Sequence, residues 1–164
     1  MLGVLIDIRV LNDMLRVKLP AVYRHLRREM VDLATTAVMA WFISIFATVL
    51  PDETAARVWD IYFSEGNKVI FRVGVALFKL HATKILSLEG GDLHHFLTNL
   101  GHDMHDAELL LDTAFKLGTV RRRTLATWRA RHRLELEAQM REMAEFRARI
   151  DSGELRRTPT GSFS

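Results

Sequence analysis

A cluster of histidines and aspartates between residues 94 and 106 is the first group that could do chemistry. Imidazole nitrogens and carboxylate oxygens are common zinc ligands. The members are His94, His95, His102, Asp103, His105 and Asp106. His102 and Asp106 are one helical turn apart, which can place two ligands on one face. No third ligand is fixed by spacing, and no HExxH motif is present. We therefore interpret the cluster as a solvated helix start, and we expect no metal and no other cofactor.

Arginines between residues 119 and 150 form the second group. This segment carries nine Arg and four Glu, hence a net charge of +5, whereas the whole chain carries +3. An anionic partner would therefore meet this segment. The candidate contacts are Arg121, Arg122, Arg123, Arg129, Arg131 and Arg133. An acidic membrane surface is one such partner, and no motif supports sequence-specific nucleic-acid binding.

An apolar stripe runs along the same segment. Its members recur at three- and four-residue steps: Leu125, Trp128, His132, Leu136, Met140, Met143 and Ile150. The stripe predicts one long amphipathic helix, and its steps are too irregular for a strict heptad coiled coil. We expect the first turns to dock on the domain, while the remainder projects into solvent or meets a partner.

The elements that must position these residues are all predicted to be helices. Apolar residues recur at helical spacing, prolines and glycines punctuate the chain, and no strand pattern competes. The predicted helices cover residues 5–17, 21–30, 35–50, 52–64, 67–88, 92–100, 106–117 and 119–150. Thr35 or Thr36 is expected to cap the third helix and Asp52 the fourth, with Gly66 as a left-handed residue after it. The fold class is therefore all-α.

Residues 34–50 raise the question of a membrane, because this stretch is almost entirely apolar. A spanning helix needs about 20 apolar residues, and this stretch has 17. We favour a buried helix at the centre of a helical domain over a membrane segment. The absence of cysteine excludes disulfides and a Cys nucleophile.

Residues 41–73, WFISIFATVLPDETAARVWDIYFSEGNKVIFRV, carry a specific order of motifs. A Trp-Phe pair is followed by an apolar run ending in Leu-Pro, then by Arg-Val-Trp-Asp, Glu-Gly and Phe-Arg. The motif residues are Trp41, Phe42, Leu50, Pro51, Arg57, Trp59, Asp60, Glu65, Gly66, Phe71 and Arg72. This string resembles the C-terminal half of a TBC domain, the Rab GTPase-activating domain, and is most like that of growth-hormone-regulated TBC proteins.

The resemblance implies an all-α helical bundle and a regulator of Rab-type small GTPases. In a complete domain, an Arg finger neutralises charge on the transferred phosphoryl group and a Gln finger positions the attacking water. The implied setting is vesicle traffic, with a cytoplasmic location that is peripheral on endomembranes. For the motif residues the resemblance implies structural roles. We expect Trp59 to lie in the core and Asp60 to pair with Arg57 or Lys68 or to cap a neighbouring helix.

Neither finger can be carried over to this chain. The Gln finger lies in Tyr-x-Gln, and the only glutamine here, Gln139, has no Tyr two positions before it. Val10-x-x-Asp13-x-x-Arg16 imitates the Ile-x-x-Asp-x-x-Arg motif of the Arg finger. It leads directly into Lys18-Leu19-Pro20, which the family has in a later helix, so we reject it.

The resemblance divides the chain into three parts. Residues 1–133 correspond to a partial, C-terminal TBC domain, 119–150 form the long basic helix that overlaps its end, and 151–164 form a disordered tail. We expect a portion of a longer Rab GTPase-activating protein that is catalytically incompetent alone. The alternative is a non-catalytic helical interaction module that binds a protein or an anionic membrane through the basic helix.

Overall fold

The computed structural model describes residues 2–118 and 121–151, and every regular element in these ranges is helical. The helices are α1 (Leu2–Lys18), α2 (Pro20–Arg28), α3 (Val38–Ser44), α4 (Asp52–Glu65), α5 (Lys68–Leu80), α6 (Ala82–Ser87), α7 (Gly90–Thr98), α8 (Ala107–Leu117) and α9 (Arg122–Asp151). A 3₁₀ turn, Leu33–Thr35, precedes α3. The all-α prediction is confirmed.

Helix α5 is the centre of the core. Nine of its thirteen residues are buried, so it is apolar on almost every side. It packs against α1, α3, α4, α6 and α8. Gly74 lies where α1 and α3 approach it, because a Cβ there would be 3.4 Å from both Leu11 and the ring of Trp41. A helix that is apolar all round is stable only when other helices surround it, as they do here.

The prediction of one helix over residues 35–50 is wrong. Helix α3 ends at Ser44, because Ile45 and Phe46 adopt left-handed backbone conformations with φ of 50° and 64°. This reversal places the Phe46 ring, fully buried, 5.5 Å from the ring of Trp41. Ile43 is left 64% exposed on the outer side of α3. Packing of Phe46 against Trp41 therefore replaces continuation of the helix.

Other helix ends also differ from the predictions. Asp52 is the first residue of α4 and forms no side-chain cap, since Pro51 occupies the cap position. Gly66 has φ of 76° with ψ of −164°, a positive-φ conformation outside the left-handed helical region. The helix expected over 67–88 breaks at His81, whose Nδ1 lies 2.9 Å from the Leu77 carbonyl oxygen.

The starts of α3 and α7 differ from the predicted caps and bounds, whereas the start of α8 lies close to the predicted residue. Ala37 holds the cap position of α3 without a side-chain hydrogen bond, and Thr36 makes only a long 3.4 Å contact with the Val38 amide. Helix α7 begins at Gly90, two residues before the expected start. Asp106 caps α8 by accepting from the Leu109 amide at 2.9 Å.

The long helix α9 docks on α1 with its first half. Leu125, His132 and Leu136 are buried, and Trp128 is half-buried. The later members of the stripe are about half exposed or more: Met140 60%, Met143 59% and Ile150 48%. Both halves of the expectation for this helix are thus confirmed in residues 122–151. The expected disordered tail lies outside the described residues, apart from Asp151, which ends α9.

The membrane question also has an answer in the described ranges. No helix in residues 2–118 and 121–151 combines the length and the apolar character that crossing a bilayer requires. The apolar stretch around Trp41 instead forms one short helix and an irregular turn of the core.

Candidate functional site

The motif residues from Trp41 to Arg72 lie in α3, α4, the start of α5 and the turns that join them. Trp41, Leu50 and Phe71 are buried. The half-buried Phe42 packs edge-on against Phe71, with 5.4 Å between ring centroids. Phe42 and Phe71 thus form part of the contact between α3 and α5.

Trp59 is not in the core, contrary to the prediction. Its side chain is 37% exposed, and Phe63, one turn further, is 82% exposed. The indole Nε1 donates a hydrogen bond to the Ile45 carbonyl oxygen at 2.8 Å. Trp59 thus holds the left-handed turn after α3 in place from outside. Val58, which is fully buried, makes the inward contact of α4 instead.

The expected pairing of Asp60 is also wrong. Asp60 and Arg57 are exposed, and neither forms an ion pair with any residue that the structure describes. Lys68 pairs instead with Glu65, at 3.2 Å. Arg57 and Asp60 both lie on the outward face of α4, whereas Glu65 ends that helix beside the start of α5.

Glu65 organises a charged junction between α4 and α5. Arg72 Nη1 donates to Glu65 Oε2 at 2.7 Å, and the Arg72 guanidinium also lies over the Phe115 ring of α8, 5.4 Å from its centroid. Hydrogen bonds from Lys68 and then Arg72 hold the pKa of Glu65 below its ordinary 4.5, against the raising effect of partial burial. The Glu-Gly and Phe-Arg motifs therefore meet in one ion-pair network.

This network predicts an acid-sensitive junction. Since the pKa of Glu65 is lowered in the folded state, its contribution to the free energy of unfolding is present above pH 4.5 and is lost as the pH falls below that value. We expect the free energy of unfolding of Glu65→Gln to depend less on pH in this range than that of the wild-type chain. Denaturant midpoints measured from about pH 6 down to about pH 3 test this. Parallel pH profiles for the two proteins would contradict it.

Two arginines of the basic helix are engaged with α1. Arg129 donates to both carboxylate oxygens of Asp7, at 2.7 and 3.1 Å, and lies over the Phe71 ring, 5.4 Å from its centroid. Arg131 donates to Asp13. Both therefore bind anions that belong to this chain. The sequence analysis did not identify Asp7 and Asp13 as partners of these arginines. The signal that could have found them is that α1 carries carboxylates and the arginine-rich segment of the sequence has a net charge of +5.

A second ion-pair cluster lies around His132. Its Nε2 is 2.7 Å from Asp13 Oδ2, and its Nδ1 is 3.0 Å from Glu135 Oε2. The hydrogen bond with His132 is the main cause that lowers the pKa of Glu135. Asp13, in the sequence that imitates the Arg-finger motif, thus binds α9, and Arg16 pairs with the same carboxylate at 3.4 Å.

The other four predicted arginines lie on the surface. Arg121, Arg122, Arg123 and Arg133 are exposed, and none forms an ion pair within residues 2–118 and 121–151. Their role toward an anionic partner stays a prediction. Arg122 and Arg129 line a cavity of about 820 Å³ beside the α4–α5 junction. Two of the predicted arginines therefore pair with α1, and the other four are exposed to solvent.

The histidine and aspartate cluster is not assembled into a ligand set. No group of three or more potential metal ligands converges in the part of the chain that the structure describes. His102 and His105 line a shallow depression beside Pro51, and Asp106 caps α8. Asp106 agrees with the interpretation of the cluster as a helix start, whereas His94 and His95 lie within α7.

Comparison with known proteins decides the family. The family model described as "Rab-GTPase-TBC domain" matches residues 1–86, which include every motif residue from Trp41 to Arg72. The chain belongs to the Rab-GTPase-TBC domain family. This confirms the resemblance that the motifs of residues 41–73 predicted.

Individual relatives extend this match. The human TBC1 domain family member 2A is 35% identical over 145 residues, 87% of this chain and 16% of that protein. The human growth hormone-regulated TBC protein 1 is 48% identical over 86 residues, 52% of this chain and 25% of that protein. The chain therefore spans a quarter or less of the length of these relatives.

A solved structure shares the fold. The crystal structure of the Chlamydomonas flagellar RabGAP TBC domain superposes with a TM-score of 0.62 and 32% sequence identity. The match covers 67% of this chain and 38% of the other. The helical arrangement described above is thus that of part of a TBC domain.

Proposed function

We propose that this chain is a portion of a Rab GTPase-activating protein that acts in vesicle traffic, and that the chain alone does not stimulate GTP hydrolysis. The observation that carries the proposal is the family match over residues 1–86, which include the motif residues. Of these, Trp41, Leu50 and Phe71 lie in the core. Residues 1–133 are the partial TBC domain in this proposal. Its partner is a GTP-loaded Rab at the surface of an endomembrane.

Side-chain positions support the lack of finger-driven catalysis. Gln139 accepts a hydrogen bond from Arg9 at 2.9 Å, so the only glutamine of the chain is tied to α1. Arg16 is paired with Asp13 in the same contact region of α1 and α9. Neither side chain has the sequence context of the family's fingers. The chain would then contribute scaffold and part of the Rab-facing surface.

The test is a GTP hydrolysis assay with the purified chain. We expect the hydrolysis rates of a panel of GTP-loaded Rabs to stay at their intrinsic values, because arginine fingers supply roughly 10³–10⁵ in rate. A complete Rab GTPase-activating protein assayed in parallel is the positive control. Stimulation of a particular Rab by this chain alone would overturn the proposed incompetence. The Rab partnership has a separate readout, since failure to bind any GTP-loaded Rab would contradict it.

The exposed arginines favour a second candidate function. Arg121, Arg122 and Arg123 form a run of three exposed cations at the start of α9, and none of them has an ion pair among the residues that the structure describes. Such a run suits peripheral contact with an anionic membrane, at about 1 kcal/mol per residue near the surface. Sedimentation with anionic vesicles tests this. The candidate fails if binding is indifferent to salt or to replacement of all three arginines by alanine.

A further inference from the structure

The cavity between the α4–α5 junction and the start of α9 is lined by four cations among its ten described lining residues. Lys68 and Arg72 come from α5, and Arg122 and Arg129 come from the first two turns of α9. Glu65 is the one carboxylate among the described lining residues. The motif residues and the basic helix, which are far apart in the sequence, thus meet at one place.

Charges at the cavity are only partly compensated. Glu65 accepts from Lys68 and Arg72, and Asp7 accepts from Arg129. Four cations therefore face two carboxylates, which leaves an excess of two positive charges. Arg122, which is exposed and has no ion pair in the described ranges, carries part of this excess.

Two of the guanidinium groups are held in position before any ligand arrives. Arg72 is only 16% exposed, and Glu65 and the Phe115 ring fix it. Its Nε is buried and forms no hydrogen bond with the part of the chain described. Asp7 and the Phe71 ring fix Arg129 in the same way. Cations that are already ordered lose less entropy when they bind an anion.

The backbone adds to the positive potential. The first residues of α5 and of α9 both line the cavity. Helix N-termini carry a partial positive charge that favours phosphate groups. Phe71, Leu125 and Ala126 supply an apolar wall beside the cations. The cavity therefore offers charge for an anion and a surface for a carbon skeleton.

We infer that this cavity binds a phosphate monoester. A phosphate monoester carries a charge of about −1.5 to −2 at neutral pH, which matches the excess of two positive charges. Guanidinium groups bind phosphate oxygens through directed, charge-assisted hydrogen bonds. The same chemistry occurs in a phosphorylated lipid headgroup and in a soluble phosphorylated cyclitol or sugar. This inference does not depend on the proposed action on Rabs.

Calorimetric titration with inositol monophosphate, with unphosphorylated inositol as the blank, tests the soluble source. We expect saturable binding that Lys68→Ala and Arg122→Ala each weaken roughly tenfold, as the loss of one charge-assisted hydrogen bond predicts. Arg123→Ala is the matched control. It removes the same charge from the same exposed helical turn, but Arg123 does not line the cavity. We expect its affinity to stay within about twofold of the wild type.

Vesicles distinguish the lipid source from the soluble one. Vesicles that contain a phosphatidylinositol phosphate are compared with vesicles of equal charge made with phosphatidylserine. Preference for the phosphoinositide, lost in Lys68→Ala and Arg122→Ala, would identify a lipid headgroup as the ligand. Soluble binding without this preference would identify a free phosphate monoester.

Two results would overturn the inference. The first is the absence of saturable binding to both probes. The second is an equal loss of binding in Arg122→Ala and Arg123→Ala, which would mean diffuse attraction to the basic helix. Far-UV circular dichroism of each variant confirms that the fold is retained, and both replaced side chains are exposed, so we expect it to be.

Discussion

Trp41→Ala is expected to lower the free energy of unfolding by about 3–5 kcal/mol, the range for loss of a buried aromatic side chain. Trp41 is fully buried, and its ring lies 5.5 Å from that of Phe46 and 5.7 Å from that of Phe78. It also fills the space above Gly74 at the crossing of α3 and α5. This loss would be large in comparison with a total free energy of unfolding of about 5–15 kcal/mol.

Urea unfolding followed by far-UV circular dichroism measures this loss. The control is Trp59→Phe, which removes the hydrogen bond to the Ile45 carbonyl and shortens a ring that is 37% exposed. We expect it to lower the free energy by about 1 kcal/mol. If Trp41→Ala does not fold, Trp41→Phe provides an intermediate case. Equal effects of replacing the two tryptophans would contradict the assignment of Trp41 to the core.

The contrast between Trp41 and Trp59 shows how far the sequence could predict the fold. Both were predicted to lie in helices and to be buried. The structure confirms a helix at each position, α3 for Trp41 and α4 for Trp59. Trp41 lies in a helix whose neighbours are apolar on all sides, so its burial follows from the pattern. Whether Trp59 would be buried depended on which side of α4 faces the core. The side that carries the neighbouring Val58 faces the core, which leaves Trp59 37% exposed.

The turn at Ile45 and Phe46 had no local signal. Left-handed backbone is uncommon outside glycine and is a marked exception at a β-branched residue such as Ile45. The apolar run therefore predicted a continuous helix to Leu50. Phe46 packs on Trp41, and the position of Trp41 depends on Phe78 and Gly74 of α5, which no sequence window around residue 45 contains.

Prediction of the charged contacts was similarly limited. The net charge of residues 119–150 predicted contact with an anionic partner, whereas Arg129 and Arg131 pair with carboxylates of α1. The sequence did not indicate that these carboxylates belong to the same chain. Ion pairs with a separation of 118 residues or more leave no local pattern.

Asp13→Ala is expected to loosen α9 more than any other single removal of a carboxylate. Asp13 has a side chain only 14% exposed, and it accepts from His132 of α9 at 2.7 Å and from Arg131. Alanine would leave the Nε2 of the buried His132 without its carboxylate. A hydrogen bond to a charged group contributes about 1.5–3 kcal/mol, so we expect a loss of that size.

Hydrogen exchange locates the effect, because α9 and the core should respond differently. We expect the amides of residues 122–139 to lose protection in Asp13→Ala, because Asp13 binds Arg131 and His132 of α9. Those of α5, most of whose residues are buried, should stay protected. Asp112→Ala is the matched control. Its carboxylate is 57% exposed and pairs with Lys116 one turn away on α8, so we expect a change of at most about 0.5 kcal/mol. Uniform loss of protection over α5 and α9 would mean that α9 unfolds together with the core and not separately from it. Unchanged protection of α9 would mean that its apolar stripe, with Leu125 and Leu136, holds it in place without Asp13.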